Sequence, residues 1–576
     1  MQEDELPDRF SVILLGTGFS ESILSAACST AGFSVLHIDR QVDLLYFSVN
    51  CDNYYIVYDF FNMYAEFYIC FFSSDVYGGN LATFDLDHLI KWLHNGGILS
   101  NSEEEMQAFD LAGFINEDER LFPIGDRQQI GKTIFNVKYE WHIPGKEEKV
   151  IEGVEVKNID EIAKPIDRDY LKENNHRFNI DTNPRVVYAN GSLVKLLLRS
   201  ECAPYLEFKC IDRLFTYFQD ELRTVPCSRT EVFASREIEK MDKRLLMQFL
   251  SFCFQFEKFP EQWTEFENRP AVEFMEYKKL PPLVQHNLLQ ALALGTSQTT
   301  TKQFLQRLHR FIQGVGRFGT SPYLWTIHGS GELPQAFCRC AAVNGAVYCL
   351  RRPVRAWIFN KQCKAVVAVV IGNQRVDCDF LVTDRSYIPE ELWPAELEGD
   401  DHIARAILIT DKTLRVSKSQ LKPVENVSVS MLAFCTEANE NPILLFDAAS
   451  GVCASPKGTS VVNIMSPVSC NDAREQLQPT VQRLFSTASS GNSDADNNEK
   501  PRLIFSAYFT QKVAKSDVDL AKKKLFDNVI VTSLPSYNVD LDDVVDETEK
   551  LFKILWNDMP FFPPQKSDTS VEEMEE

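Results

Sequence analysis

The most constraining feature of the sequence is a strand, glycine loop, helix and strand pattern near its start. The apolar run Phe10–Leu15 is followed by Gly16-Thr-Gly18, by a helical pattern over 20–31 and by a second apolar run over 34–38. Strands and helices alternating in this order are typical of a parallel α/β sheet, and glycines at the first turn are typical of a dinucleotide-binding loop. The sequence therefore predicts an α/β sheet domain beginning near residue 10.

The third position of this loop carries a carboxylate instead of a glycine. Glu21 falls in the first turn of the helix, where it would repel a pyrophosphate and would itself occupy the positive helix end. Asp39 ends the second strand at the spacing of a ribose ligand; alternatively, it is a strand-end residue without a ligand. We predict the fold of a dinucleotide domain with a vestigial loop (Gly16, Gly18 and Glu21) and no cofactor.

Charge and cysteine usage limit the class of partner and the compartment. The 576 residues hold 59 Lys and Arg against 82 Asp and Glu, a formal net charge of −23. Because nucleic acid and anionic membranes bind a basic face, this charge argues against both as default partners. Fifteen scattered cysteines without a C-x-x-C pair, and no signal-peptide pattern, predict reduced thiols in a cytosolic protein. The common catalytic and zinc-binding spacings are missing, so we predict no catalytic set and no metal site.

The rest of the chain alternates between helical and strand-like stretches. Residues 226–313 are helical almost throughout, with a capping-box signature at Ser228-Arg-Thr-Glu231. Beyond it, strands are predicted over 365–371, 380–383 and 406–409. The apolar residues of the main helix recur at helical spacing: Ile238, Met241, Leu245, Phe249, Phe252 and Phe256.

The segment from Arg317 to Leu350 carries the most specific motif in the chain. It reads RFGTSPYLWTIHGSGELPQAFCRCAAVNGAVYCL and resembles the signature region of the superfamily of Rab escort proteins and Rab GDP-dissociation inhibitors. Asp39-Arg40, Tyr77-Gly-Gly and the loop with a non-glycine third position resemble the same superfamily. The resemblance runs, with gaps, from Phe10 to about Pro563.

Within this superfamily, several segments are similar to the escort branch. They are Val225-Pro-Cys-Ser-Arg229, residues 243–252, Cys338-Arg-Cys340, an acidic insertion over 101–175 and an extra C-terminal segment, since dissociation inhibitors are shorter. The resemblance implies an α/β fold: a flavoprotein-like (FAD/NAD(P)-binding-type) mixed-sheet domain with an inserted all-helical domain, without bound flavin.

The resemblance also implies a platform that binds the switch regions of GDP-bound Rab GTPases. An aromatic residue beside a charged pair suits the desolvated centre of a modest interface. Alternatively, Glu332 and Arg339 form an internal ion pair and Tyr77 is an ordinary loop residue. The residues at the matching positions are Tyr77, Arg317, Tyr323, Glu332, Arg339, Val347, Tyr348 and Cys349.

The helix over 236–256 resembles the escort element that meets the prenyltransferase heterodimer. Phe249 and then Phe252 are the expected contacts; alternatively, the aromatic stripe is simply core. Family members also shelter the geranylgeranyl lipid of Rab between helices of this domain.

The function implied by the resemblance is that of a non-catalytic accessory subunit. It binds unprenylated GDP-bound Rab, presents it to the alpha/beta heterodimer of Rab geranylgeranyltransferase, and delivers prenylated Rab to membranes. The protein would be cytosolic and only transiently at membranes. One alternative is a dissociation inhibitor that recycles prenylated Rab without supporting prenylation. Another is a flavin-dependent oxidase-like enzyme, which Glu21 disfavours.

Residues 41–73 depart from the family pattern. Residues 41–75 hold 12 aromatic side chains and no Lys, Arg or His, and removing 41–73 restores the short family loop. We interpret 41–73 as a non-native insertion, such as translated intron sequence; a lineage-specific loop is the alternative. The predicted organisation is a sheet domain in three parts (1–225, 317–485 and 501–565), a helical domain (226–316), a polar loop (486–500) and an acidic tail (566–576).

Overall fold

The structure is a computed structural model. It describes residues 6–39, 79–97, 111–124, 133–143, 166–236, 238–350, 352–394, 401–415, 427–436, 439–470, 472–486, 500–513, 526–533 and 536–563. The predicted insertion 41–73, Tyr77 and the tail 566–576 lie outside these residues, as does the polar loop except for its two ends. No helix within the described ranges is long and apolar enough to cross a bilayer.

Strands and helices alternate along the chain as the sequence predicts. The strands are β1 Arg9–Leu15, β2 Val35–Asp39, β3 Thr83–Phe84, β4 Glu119–Pro123, β5 Ile134–Trp141, β6 Ile180–Asp181, β7 Val187–Tyr188, β8 Phe208–Cys210, β9 Arg213–Phe218, β10 Glu221–Val225, β11 Tyr323–Thr326, β12 Val347–Leu350, β13 Val354–Asn360, β14 Val366–Ile371, β15 Gln374–Thr383, β16 Asp401–Thr410, β17 Val429–Thr436, β18 Asn439–Ala449, β19 Ser460–Pro467, β20 Leu503–Val513 and β21 Val529–Val531. The α-helices are α1 Phe19–Thr30, α2 Leu86–His94, α3 Arg168–Glu173, α4 Ser192–Arg199, α5 Arg229–Ala234, α6 Lys240–Cys253, α7 Ala271–Tyr277, α8 Pro282–His286, α9 Thr301–Gly314, α10 Glu332–Val343, α11 Ala473–Leu484 and α12 Asp542–Leu555.

The first sheet is built around β1, which is buried on both faces. Its order is β12-β2-β1-β15-β14-β13-β4, with β21 also paired to β15. The pairs from β12 to β15, and β15 with β21, are parallel, whereas β14, β13 and β4 are antiparallel to their neighbours. Val12 and Leu14 pack towards α1 and α10, and Ile13 and Leu15 pack into a second core on the opposite face. The continuous apolar run of β1 follows from this two-sided burial.

The second sheet is a large, largely antiparallel layer. Its order is β10-β9-β17-β18-β19-β16-β20-β5, in which only β9 and β17 run parallel. The helices between β10 and β11 cover one face through Met431, Leu444 and Phe446. Helix α11 covers part of the other face. The predicted α/β fold class with an inserted helical segment is confirmed.

Local signals account for most boundaries of the helical segment. Ser228 caps α5 by accepting a hydrogen bond from the Glu231 amide, while Glu231 reaches back to the Cys227 amide. The pattern over 283–294 predicts one helix, but α8 passes into a π-helix at Asn287–Leu292. Periodicity marks the apolar face of a helix without distinguishing an α-helical turn from a wider one.

The acidic segment 101–175 is partly integrated into both sheets. Its strand β4 pairs with β13 at the edge of the first sheet, and its strand β5 pairs with β20 at the edge of the second. Its described strands therefore extend the two sheets and do not form a separate unit.

Candidate functional site

The glycine loop between β1 and α1 makes the tight turn that the motif predicts. Gly16 has φ +101°, in the left-handed region, and a Cβ there would lie 3.3 Å from a carboxylate oxygen of Asp384. Gly18 is the N-cap of α1 and offers no capping side chain. The first backbone amides of α1 are therefore not capped by the side chain of the N-cap residue, and they face the space above the loop.

The side chain that lies there is the protein's own Glu21. It is buried, accepts a hydrogen bond from the Thr532 hydroxyl, and would collide with any Cβ placed on Gly18. Burial raises the pKa of Glu21 to about 8, and the negative charge of Asp384 adds to the shift. A group held close to its neutral form thus fills the place where a nucleotide phosphate would bind.

Asp39 and Gly79 close the same loop from two sides. Asp39 is buried and accepts hydrogen bonds from the Thr17 amide at 3.1 Å, from the Thr17 hydroxyl, and from the Tyr387 hydroxyl at 3.2 Å. A Cβ on Gly79 would lie 3.3 Å from Cα of Gly18. Asp39 is therefore tied to its own loop, and these residues do not fit a flavin or nicotinamide dinucleotide.

A buried histidine connects the loop to the edge strand β12. His37 lies 2.6 Å from the Gly16 carbonyl oxygen through Nε2 and 3.2 Å from the Tyr348 hydroxyl through Nδ1. The carbonyl can only accept, so Nε2 carries the proton and Nδ1 accepts from Tyr348. Burial lowers the pKa of His37 to about 4, which keeps this neutral tautomer in place. The vestigial loop thus positions Tyr348, one of the predicted platform residues.

Helix α10 carries the predicted charged pair. Glu332 is its first residue and is half-buried, and burial raises its pKa. Arg339 is exposed, and its guanidinium carbon lies 4.4 Å from the centroid of the Tyr205 ring. Seven residues of helix place about 10.5 Å between the two Cα atoms. The helix therefore presents Glu332 and Arg339 two turns apart.

The start of α10 is pinned to the chain that follows the Tyr-Gly-Gly motif. Thr83 Oγ1 accepts from the Gly331 amide at 3.0 Å and donates to Asp181 at 2.6 Å. Asp181 also accepts from the Ser330 amide at 2.7 Å, and burial raises its pKa to about 6. Sequence reasoning missed Thr83 and Asp181 because they are far apart in the chain and match no motif.

Strand β12 supplies the next predicted platform residues. It lies at the edge of its sheet, beside β2. Val347 is 37% exposed, whereas Cys349, on the same face, is 8% exposed and belongs to the core beneath the sheet. Tyr348 points to the opposite face, towards Ser25 and His37. Val347 is therefore the one of the three with a well-exposed side chain.

The loop after α9 separates an exposed residue from a buried one. Arg317 is exposed, beside Phe318, which is 55% exposed. Tyr323 is fully buried: its hydroxyl lies 3.0 Å from that of Tyr188, and its ring packs 5.7 Å from that of Phe311. Because β7 and α9 cover Tyr323, its side chain does not reach the surface, and its place in the platform remains a prediction about position. Tyr77 lies outside the described residues.

The aromatic stripe on α6 is mostly core. Phe249 is 4% exposed and packs against Phe274 and Phe304, with ring centroids 6.0 and 6.3 Å apart. Phe252 is half-buried, and Nζ of Lys278 lies 4.9 Å from its ring centroid. This placement fits the alternative that Phe249 is a core residue. It does not fit a direct contact between the Phe249 side chain and the prenyltransferase.

Other apolar side chains of the helical segment reach solvent. Met241, expected on the buried face, is 68% exposed because it lies in the first turn of α6, ahead of the buried residues that begin at Leu246. No sequence signal distinguishes these side chains from buried ones of the same type. The most exposed of them are Phe233, Met241, Phe254 and Tyr277.

Comparison with known proteins identifies similar chains along the whole length. The family model described as GDP dissociation inhibitor matches residues 158–479. Rab proteins geranylgeranyltransferase component A 2 of Mus musculus is 28% identical, over 99% of this chain and 99% of its own. Component A 1 of Homo sapiens is 29% identical, over 99% of this chain and 94% of its own. The crystal structure of a Rab GDI from Plasmodium falciparum has a TM-score of 0.59 at 16% identity, covering 96% of this chain and 99% of its own, and so shares the fold.

Proposed function

The chain belongs to the GDP dissociation inhibitor family, and on that premise we propose that it is a Rab escort protein. It binds unprenylated GDP-bound Rab GTPases, presents them to the Rab geranylgeranyltransferase heterodimer and delivers prenylated Rab to membranes. The observation that carries this proposal is end-to-end similarity to proteins named as component A of that transferase.

The role proposed for the chain is accessory and not catalytic. The vestigial loop is occupied by Glu21, Asp39 and Gly79, so the sheet domain has lost the place where a dinucleotide would bring redox chemistry. The prenyl transfer itself belongs to the heterodimer, to which component A adds recognition of Rab.

The proposed Rab-binding platform is the surface formed by α10, the start of β12 and the loop after α9. Arg339 gives it an exposed cation beside an aromatic ring, Val347 an exposed apolar edge, and Arg317 a second exposed cation. Tyr77, in the motif that leads into the Gly79 turn, is proposed as its aromatic contact. A desolvated aromatic and arginine centre with a polar rim is the usual composition of a specific protein interface.

The buried and half-buried platform residues are proposed to act by positioning the exposed ones. Tyr348 and Cys349 hold β12 against β2, Tyr323 holds β11 beneath the loop that carries Arg317, and Glu332 begins α10 at its junction with Thr83. Substitution of these residues would move the platform without removing a contact.

The transferase is proposed to dock on the helical segment near α6. Phe252 lies at the edge of the aromatic cluster and Phe249 beneath it, so Phe252 is the contact and Phe249 its support. Met241 and Phe254 are further exposed apolar side chains of the same segment. The geranylgeranyl lipid of Rab would lie between helices of the same segment, which would keep prenylated Rab in solution during transient membrane contact.

A reconstituted prenylation assay tests the proposal. Unprenylated Rab, the heterodimer and geranylgeranyl diphosphate are combined with and without the purified chain. We expect geranylgeranyl transfer to require the chain. If the chain extracts prenylated Rab from vesicles yet leaves the transfer rate unchanged, it is a dissociation inhibitor and the escort proposal fails.

A further inference from the structure

Two cysteines from distant parts of the chain meet at one backbone carbonyl. Cys202 follows α4 and Cys340 lies in α10, and both sulfur atoms contact the carbonyl oxygen of Ser200, at 3.8 Å and 3.6 Å respectively. Cys202 is fully buried, and Cys340 is 7% exposed. The two thiols also form a hydrogen bond with each other, which places the two sulfur atoms in direct contact.

We propose that Cys202 and Cys340 form a reversible disulfide when the protein meets a peroxide oxidant. The inference does not depend on the Rab escort function, since it concerns only the chemistry of these two side chains. The fold holds the pair together before oxidation, which supplies most of the proximity that a disulfide between residues so far apart in sequence requires.

The surroundings make Cys340 the nucleophile. Its Sγ accepts a hydrogen bond from the Asn344 side-chain amide at 3.8 Å. A hydrogen bond from the Cys202 thiol lowers the pKa of Cys340, and the same contact raises the pKa of Cys202. The thiolate is the reactive form of cysteine, so oxidation begins at Cys340.

Cys340 is also the more accessible of the two thiols. It lies one turn before the exposed end of α10, where Val343 is 72% exposed and Asn344 is exposed. A molecule as small as hydrogen peroxide needs only a small movement at this end to reach the sulfur. Cys202 lies deeper, which suits the thiol that completes the bond.

The chemistry balances with one peroxide. The Cys340 thiolate attacks a peroxide oxygen, the O–O bond breaks, and the departing hydroxide takes a proton to become water, leaving a sulfenic acid on Cys340. The Cys202 sulfur then attacks the Cys340 sulfur, the S–O bond breaks, and hydroxide leaves with the Cys202 proton as a second water. The two thiols lose two electrons in total, which the peroxide gains. A thiol reductant reverses the bond by exchange.

The disulfide would join α10 to the loop that carries Tyr205. Arg339 precedes Cys340 in α10, and Tyr205 lies three residues after Cys202, so the bond would brace the contact between the Arg339 guanidinium and the Tyr205 ring. Cys338 does not compete, because two residues of helix turn it about 200° away from Cys340. Its thiol donates to the Ser22 hydroxyl at 3.3 Å instead.

Peptide mapping of the intact folded chain tests the pair. The reduced protein is treated with graded hydrogen peroxide near neutral pH, the remaining thiols are alkylated in denaturant, and the tryptic peptides are analysed by mass spectrometry without reduction. Cys202 falls in SECAPYLEFK and Cys340 in CAAVNGAVYCLR, whereas Cys338 falls in the preceding peptide. We expect these two peptides to be joined, with the loss of two hydrogen atoms, and to separate after treatment with a dithiol. Fragment spectra distinguish Cys340 from Cys349 within its peptide.

Two variants complete the test. In Cys202→Ala, Cys340 is expected to accumulate as a sulfenic acid that a 1,3-dione probe captures, and in Cys338→Ala the joined peptide is expected to form as in the parent chain. The proposal is overturned if both thiols remain open to alkylation after peroxide, if Cys340 goes directly to sulfinic acid in the parent chain, or if the bond joins other cysteines. The result on the parent chain decides the question even where a variant folds poorly.

Discussion

The guanidinium of Arg339 lies over the ring of Tyr205, with 4.4 Å between the guanidinium carbon and the ring centroid. Tyr205 lies in the loop after α4, and its ring is half-buried against the neighbouring core, while the arginine remains exposed. This contact orients a charged side chain without withdrawing it from solvent, and a pre-oriented arginine loses less freedom when a partner binds. It is the most specific surface feature of the proposed platform.

Arg339→Ala is expected to weaken binding of GDP-bound Rab about tenfold, or about 1.4 kcal/mol, as for a central arginine of an interface. The fold should be unaffected, because the side chain is exposed. Titration of fluorescent Rab measures the affinity, and thermal unfolding checks the fold. Lys361→Ala, which removes an exposed ion pair with Asp118, is the control and should bind Rab normally. Equal affinities for both variants would remove Arg339 from the platform.

Substitution of Phe249 is expected to affect mainly stability, and substitution of Phe252 mainly docking of the transferase. Phe249→Ala leaves a cavity among Phe274 and Phe304 and should lower the free energy of unfolding by about 3–5 kcal/mol. Phe252→Ala, at a half-buried site, should lower it less, keep Rab affinity and reduce capture of the transferase heterodimer. Phe266→Ala, another half-buried member of the cluster, is the matched control. Undiminished capture by Phe252→Ala would exclude that side chain as a contact.

Glu21→Gln is expected to stabilise the protein increasingly as pH rises. The folded pKa of Glu21, about 8, lies above its ordinary value of 4.5. Between these values the folded state holds a proton that the unfolded state releases, so the stability from Glu21 is full below 4.5 and is lost as pH rises through 8. Glutamine stays neutral and can still accept from Thr532. For each pH unit in this window, the difference in the free energy of unfolding between Glu21→Gln and the parent chain grows by up to about 1.4 kcal/mol.

Denaturant unfolding from about pH 5 to about pH 9 measures this difference, with Glu390→Gln at an exposed site as control. His37 has the opposite slope: its folded pKa of about 4 is below the ordinary 6.5, so stability falls as pH drops through that interval. That contribution is common to both proteins and cancels in the comparison. A gap between Glu21→Gln and the parent chain that does not widen with pH would contradict the buried, protonated carboxyl.

The transcript is expected to lack the codons for residues 41–73. On either side of this segment, Asp39 accepts from the Thr17 amide and Gly79 packs on Gly18. The two ends of the connection therefore reach adjacent residues of one loop, and a short link satisfies the fold. Sequencing complementary DNA across the codon for Arg40 checks this, and a transcript that retains the segment establishes a lineage-specific loop. If the segment is a non-native insertion, a chain in which Arg40 is joined directly to Ser74 should bind Rab at least as tightly as the chain that contains residues 41–73.

Local sequence signals were sufficient to predict the first strands and helix and a glycine loop that does not bind phosphate. The apolar run of β1, Gly16 and the helix that follows were sufficient to predict the parallel sheet, since backbone geometry and two-sided burial leave few alternatives for such a pattern. Glu21 predicted a loop unsuited to phosphate through its charge at the helix N-terminus; the structure instead has the carboxyl close to its neutral form, so that it excludes phosphate by filling the space. The structure shows Glu21 buried in that position.

Which residues are available to a partner was decided only by the tertiary structure. Tyr323 and Phe249 lie in motifs or stripes that resemble binding elements, yet both are buried, while Met241, on the same predicted stripe as Phe249, is exposed. Periodicity identifies the apolar face of an element but not how far a neighbouring element extends over it. The meeting of Cys202 with Cys340, and of Thr83 with the start of α10, likewise depends on chain segments more than a hundred residues apart. Their proximity follows from the packing of sheets and helices, which no local pattern encodes.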